Sequence, residues 1–93
     1  MAEKIDFATL WRKACAGTSF GRPETSDLLR KLAMQALVKN PPNTTAAYMA
    51  DRLRNFISGM DQRHAEQARI VAAFLRSLPP GTPIKTVVGG LWV

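Results

Sequence analysis

This sequence is poor in the side chains that do chemistry. Its 93 residues hold one cysteine, one histidine and seven carboxylates. A lone cysteine, Cys15, cannot form an internal disulfide, so the core rests on packing, and a reducing compartment or indifference to redox state is expected. His64 has Asp61 three residues before it, but two groups fall short of the three or four ligands of a zinc site. Cys15 falls on an apolar stripe, away from the polar setting that activates a thiolate, so a Cys15–His64 nucleophilic pair is not expected. The glycines at 17 and 21 lack the lysine-containing ending of a phosphate loop and any preceding strand. No apolar run approaches the ~18 residues of a membrane span. Glu3, Lys4, Asp6, Arg12 and Lys13 interrupt the first twenty residues, which is unlike a signal peptide. These shortages argue against an enzyme, a cofactor, a metal or a small-molecule substrate, and place the expected location in the cytoplasm.

What the chain does have is positive charge and helical periodicity. The formal net charge is +6, with eight arginines and five lysines. No five like charges run together, so there is no basic arm and any electrostatic footprint must be assembled by the fold. Apolar residues make up 46% and charged residues 22%, the composition of a globular domain rather than a disordered one.

A single helical domain over 1–93 is expected. Phe7, Leu10, Trp11, Ala14 and Cys15 recur at spacings of three and four and predict a helix over about 5–16, with Asp6 as N-cap and Gly17 as the stop. A second helix over about 25–39 buries Leu28, Leu29, Leu32, Ala33, Ala36 and Leu37, and Asn40-Pro41-Pro42-Asn43 ends it. A third, over about 44–58 and capped by Asn43 or Thr44, turns Ala46, Met49, Leu53, Phe56, Ile57 and Met60 inward. Gly59 and Asp61 mark a break before a fourth helix over 62–78, and one helix from 44 to 78 is the alternative, since an internal glycine costs only about 1 kcal/mol. Pro79-Pro80-Gly81-Thr82-Pro83 ends helical structure. The remainder is rich in β-branched residues around Gly89-Gly90, which suits a two-residue hairpin turn. The predicted fold class is all-α, a small four-helix bundle or orthogonal helical array with a short C-terminal β-hairpin or extended tail over 79–93. No internal repeat is visible in the letters.

Such a chain is expected to bind a macromolecule without transforming it. Nucleic acid is the first partner class, through a basic helical surface of Arg52, Arg54, Arg63, Arg69 and Arg76, because Arg bridges phosphates and guanine edges bidentately. Arg69 and Arg76 stand seven apart and share a helix face. A helix-turn-helix centred on Gly59 fails, since Arg54, Asn55 and Ser58 occupy positions that should be small or apolar. A winged-helix order of elements fits better but lacks a polar recognition helix. The alternative is a protein-binding inhibitor or adaptor, acting through an apolar helix face or through the tail residues Leu91, Trp92 and Val93, with an acidic protein surface as partner. Broad apolar faces on the third and fourth helices also allow a homodimer. A membrane-surface role for the first helix, with Trp11 beside Arg12 and Lys13, ranks third among the binding readings.

Overall fold

A computed structural model describes residues 5–91. They form five α-helices: α1 (Phe7–Cys15), α2 (Pro23–Val38), α3 (Ala46–Phe56), α4 (Gln62–Arg76) and α5 (Ile84–Leu91). A short 3-10 turn, Ile57–Gly59, follows α3. The all-α expectation holds, and among the described residues no helix is long and apolar enough to cross a membrane.

Local signals set the ends. Asp6 caps α1, its carboxylate accepting from the Thr9 amide at 3.0 Å, and Gly17 follows the helix at φ +75°, where a side chain would be strained. Asp61 caps α4 by accepting from the His64 amide at 2.9 Å. The 3-10 turn and the extended backbone at Met60 separate α3 from α4, so a single helix through 44–78 does not form. Two caps differ from expectation. Thr45, rather than Asn43 or Thr44, accepts from the Tyr48 amide at 3.2 Å. Helix α2 starts at Pro23, whose missing N–H costs nothing in a first turn.

The tail is the largest correction. Residues 84–91 are helical where the sequence predicts a hairpin, and Gly89 and Gly90 lie inside α5. The reason is tertiary: a methyl group added at Gly90 would overlap the Phe7 ring of α1, whereas one at Gly89 would meet nothing. Gly90 is present because another helix needs its space, and packing overrides the local turn preference.

Two turns then fix the architecture, and they repeat. Pro41-Pro42-Asn43-Thr44 joins α2 to α3, and Pro79-Pro80-Gly81-Thr82 joins α4 to α5, 38 residues later. In each, the threonine amide bonds the carbonyl of the first proline, Thr44 to Pro41 at 3.0 Å and Thr82 to Pro79 at 3.2 Å. The turns clasp each other reciprocally: the Ala46 amide donates to the Thr82 carbonyl at 2.8 Å and the Ile84 amide to the Thr44 carbonyl at 2.7 Å. Thr45 and Pro83 form an antiparallel bridge between them. Reciprocal bonds between positions 38 apart place a local twofold axis at this clasp. It relates α2–α3 to α4–α5, and packing follows it, α3 against α4 and α2 against α5. An internal repeat therefore exists in the fold, carried by turns rather than by helix sequences.

Helix α1 has no counterpart within the described residues. It packs on α4 and α5, with the Trp11 and Phe74 rings edge to face at 5.3 Å. The core runs through Trp11, Leu29, Leu37, Ala50, Phe74, Leu75, Ile84 and Val87.

The two glycines of α5 should respond oppositely. Gly90→Ala is expected to destabilise by ~1–3 kcal/mol, as overpacking does, and a Phe7→Ala background should remove that penalty. Gly89→Ala should be neutral or stabilise by up to ~1 kcal/mol, since alanine is the better helix former. Urea midpoints at a constant m-value measure both, and equal effects at the two positions would contradict the α1–α5 contact.

Candidate functional site

Two surface depressions flank α3, one apolar and one basic. The apolar groove follows from how the repeat is built. Helices α2 and α3 leave their shared turn in diverging directions and barely touch, because each packs across the twofold instead. The space between them is a groove of about 550 Å³. Leu29, Leu32, Ala33, Ala36 and Leu37 of α2 form one wall, Met49 and Leu53 of α3 another, and Met60, His64 and Ala68 close the α4 side.

The two helices that form it carry exposed large apolar side chains. Leu32, in the lining, is 50% exposed and Leu28, one helical turn before it on α2, 61%; on α3 Tyr48 and Phe56 are 54% and 57% exposed. Tyr48, Arg52 and Phe56 recur at spacings of four, on the face next to Met49 and Leu53. The sequence reading placed Leu28, Leu32, Ala36 and Phe56 in the core, and all four are exposed. The apolar stripe of α2 is wider than the surface α5 offers it.

The basic depression lies on the other flank of α3. A groove of about 650 Å³ is lined by Arg54 of α3 and by Arg69 and Arg76 of α4, over Ile57, Ser58, Ala72 and Ala73. The shared face of Arg69 and Arg76 was legible from their spacing. Arg54 joins them because α3 crosses α4 there. Arg76 is ion-paired with Asp51, which offsets part of the local charge. The other two predicted arginines do not join this set. The Arg63 guanidinium stacks over the Phe20 ring at 5.4 Å, and that of Arg52 over Tyr48 at 5.9 Å. The five arginines therefore divide among three places.

Of the tail residues, Leu91 is only 5% exposed and belongs to the core cluster, so it is not available to a partner in this fold. Trp92 and Val93 lie outside the described residues.

Catalytic arrangements are sparse. The His64 ring pairs with Asp61 at 2.8 Å on an exposed helix start. Among the described residues no three His, Cys, Asp or Glu side chains converge as a metal site would require. Burial pushes the Cys15 thiol up, away from the thiolate form. The Asp61 carboxyl is held low by the His64 amide, then by the His64 ring. Glu66 is held low by the hydroxyl and amide of Ser19, bonded at 2.8 and 3.1 Å, a tie from α4 to the loop after α1. Comparison with known protein families, curated proteins and solved structures finds no match to this chain.

A carboxyl whose folded pKa lies below its unfolded value stabilises above the unfolded value and loses that contribution as pH falls through the folded one. Acidification below the ordinary carboxylate range should therefore destabilise the protein. Asp61→Asn, which can still cap the helix, should make thermal stability less dependent on pH there. An unchanged pH profile in the Asn variant would show that the Asp61 charge contributes nothing.

Proposed function

We propose that this chain is a non-enzymatic binding protein whose working surface is the apolar groove between α2, α3 and α4, and that the groove holds a segment of a partner protein. The observation that carries this reading is a largely apolar groove of about 550 Å³ with the half-exposed Leu32 in its lining, on two helices that also carry the exposed Leu28, Tyr48 and Phe56. Single exposed apolar residues are ordinary, but several beside a concave apolar surface point to an interaction site. Fully covering one such side chain is worth roughly 1.5–3 kcal/mol, so a few of them support specific binding without a large interface. Recognition of this kind takes an amphipathic helix laid into a groove.

A second reading is favoured by a different observation, the convergence of Arg54, Arg69 and Arg76. Three guanidinium groups around one depression suit a phosphodiester backbone. The Asp51–Arg76 pair and the departure of Arg52 and Arg63 to other faces leave it a smaller footprint than the net charge suggests, and nucleic acid ranks second.

Titration of isotope-labelled protein, followed by amide chemical shifts, separates the two. A leucine-rich amphipathic model peptide should shift Leu32, Ala36, Leu53 and Met60, and Leu32→Glu should weaken its binding about tenfold or more, roughly the loss of one buried leucine. Duplex or single-stranded DNA that instead shifts Arg54, Arg69 and Arg76, with steep weakening by salt and no peptide binding, would replace the first reading with the second. Absence of both would overturn both.

A further inference from the structure

Resting on the groove reading, the internal repeat indicates what the groove holds. Helix α1 occupies the equivalent groove in the other half of the molecule. There it seats on α4 and α5, with Trp11 against Phe74 and Phe7 against Gly90, and Ser26 and Arg30 of α2 at its side. The positions 38 residues earlier in the chain are Ala36 for Phe74, Met49 for Val87 and Leu53 for Leu91, and all three line the open groove. On its side stand His64 and Ala68, the counterparts of Ser26 and Arg30. The same seat thus occurs twice. In the filled seat Ile70 is 4% exposed and Phe74 1%; in the open one their counterparts are Leu32, at 50%, and Ala36, which is also exposed.

We infer that the open groove takes a short amphipathic helix of a partner protein, seated as α1 is seated on α4 and α5, with carboxylates directed at Arg52. The charge follows from one place where the two seats differ. Arg52 stands where Gly90 stands in the filled seat. Gly90 admits the Phe7 ring; Arg52 is the corresponding residue, on the α3 face next to Met49 and Leu53, with its guanidinium over Tyr48 at 5.9 Å. An acidic side chain suits that position and an aromatic ring does not. Asp61, the acid on the groove's edge, is already engaged by the His64 ring. Where Phe74 fills the seat beneath Trp11, Ala36 leaves room, so the incoming helix carries a large apolar anchor there.

The same comparison disfavours a second copy of this chain. Its α1 would bring Phe7 onto Arg52, and the exposed Arg12 and Lys13 would add like charge to the same groove. The occupant is a different chain with acidic flanks.

Two fluorescent helical peptides test this, both with one leucine–tryptophan stripe at spacings of three and four, one flanked by glutamates and the other by lysines. Anisotropy at low salt should show the glutamate peptide binding roughly three- to tenfold more tightly, the scale of one or two exposed ion pairs. Arg52→Glu, at an exposed site, should invert that preference. Ala36→Trp, which fills the anchor space, should abolish binding of both peptides while the helical circular dichroism is retained. Equal binding of the two peptides, unchanged by Arg52→Glu but lost in Ala36→Trp, would overturn the acidic-helix inference and leave the groove reading standing. Binding of neither peptide would overturn both. Dimerisation abolished by Ala36→Trp would assign the groove to a second copy and overturn the inference.

Discussion

The rest of this structure depends on a pair of backbone hydrogen bonds. Ala46 to Thr82 and Ile84 to Thr44 tie two proline-threonine turns together, and both donors are the first residues of helices. A helix's first amides have no partner within the helix, so the clasp satisfies two of them while fixing where α3 and α5 begin. Each bond contributes only about 0.5–1.5 kcal/mol net; its larger effect is geometric. With the turns locked face to face, α2 must lie against α5 and α3 against α4. Within each pair the two helices diverge and leave a groove.

The functional proposal comes from breaking that symmetry. One groove is filled by α1, whose Trp11 and Phe7 reach Phe74 and the space left by Gly90. The other has no helix among the described residues to fill it, and Leu32 and Ala36 in its wall stay exposed. The net charge of +6 then means something narrower than general attraction to polyanions. Arg76 is paired with Asp51, Arg63 lies over Phe20, and Arg52 lies over Tyr48. On the proposed reading, charge tunes what the groove accepts, while apolar surface supplies the affinity.

Much of this was legible in the letters, and the failures have identifiable causes. Four helices could be read from periodicity, with Asp6 and Asp61 as caps and Gly17 and Gly59 as interruptions, because those signals are local. The α5 error arose because Gly89-Gly90 flanked by valines is locally a turn sequence. Only the approach of Phe7, from 83 residues away, makes a helical Gly90 sensible. Leu28 and Leu32 were recognised as apolar but assigned to the core, since periodicity cannot say whether the covering partner belongs to the same chain. The 38-residue repeat of Pro-Pro-x-Thr was present, yet its helices share few residues, and its meaning appeared only once the two turns were seen to bond each other. For the basic groove, the Arg69–Arg76 spacing was readable, whereas the arrival of Arg54 depended on how α3 crosses α4.

The central claim is that two equivalent seats exist and that one is covered while the other is open. Methyl resonances of the 93-residue protein in the presence of a soluble paramagnetic agent test it most directly. Leu32 and Leu53, in the open groove, should be strongly broadened, and Ile70 and Leu91, their counterparts beneath α1, should be protected. Equal protection at the two pairs would show that the open groove is closed in solution, and equal broadening would show that α1 does not cover its seat; either result would contradict this account.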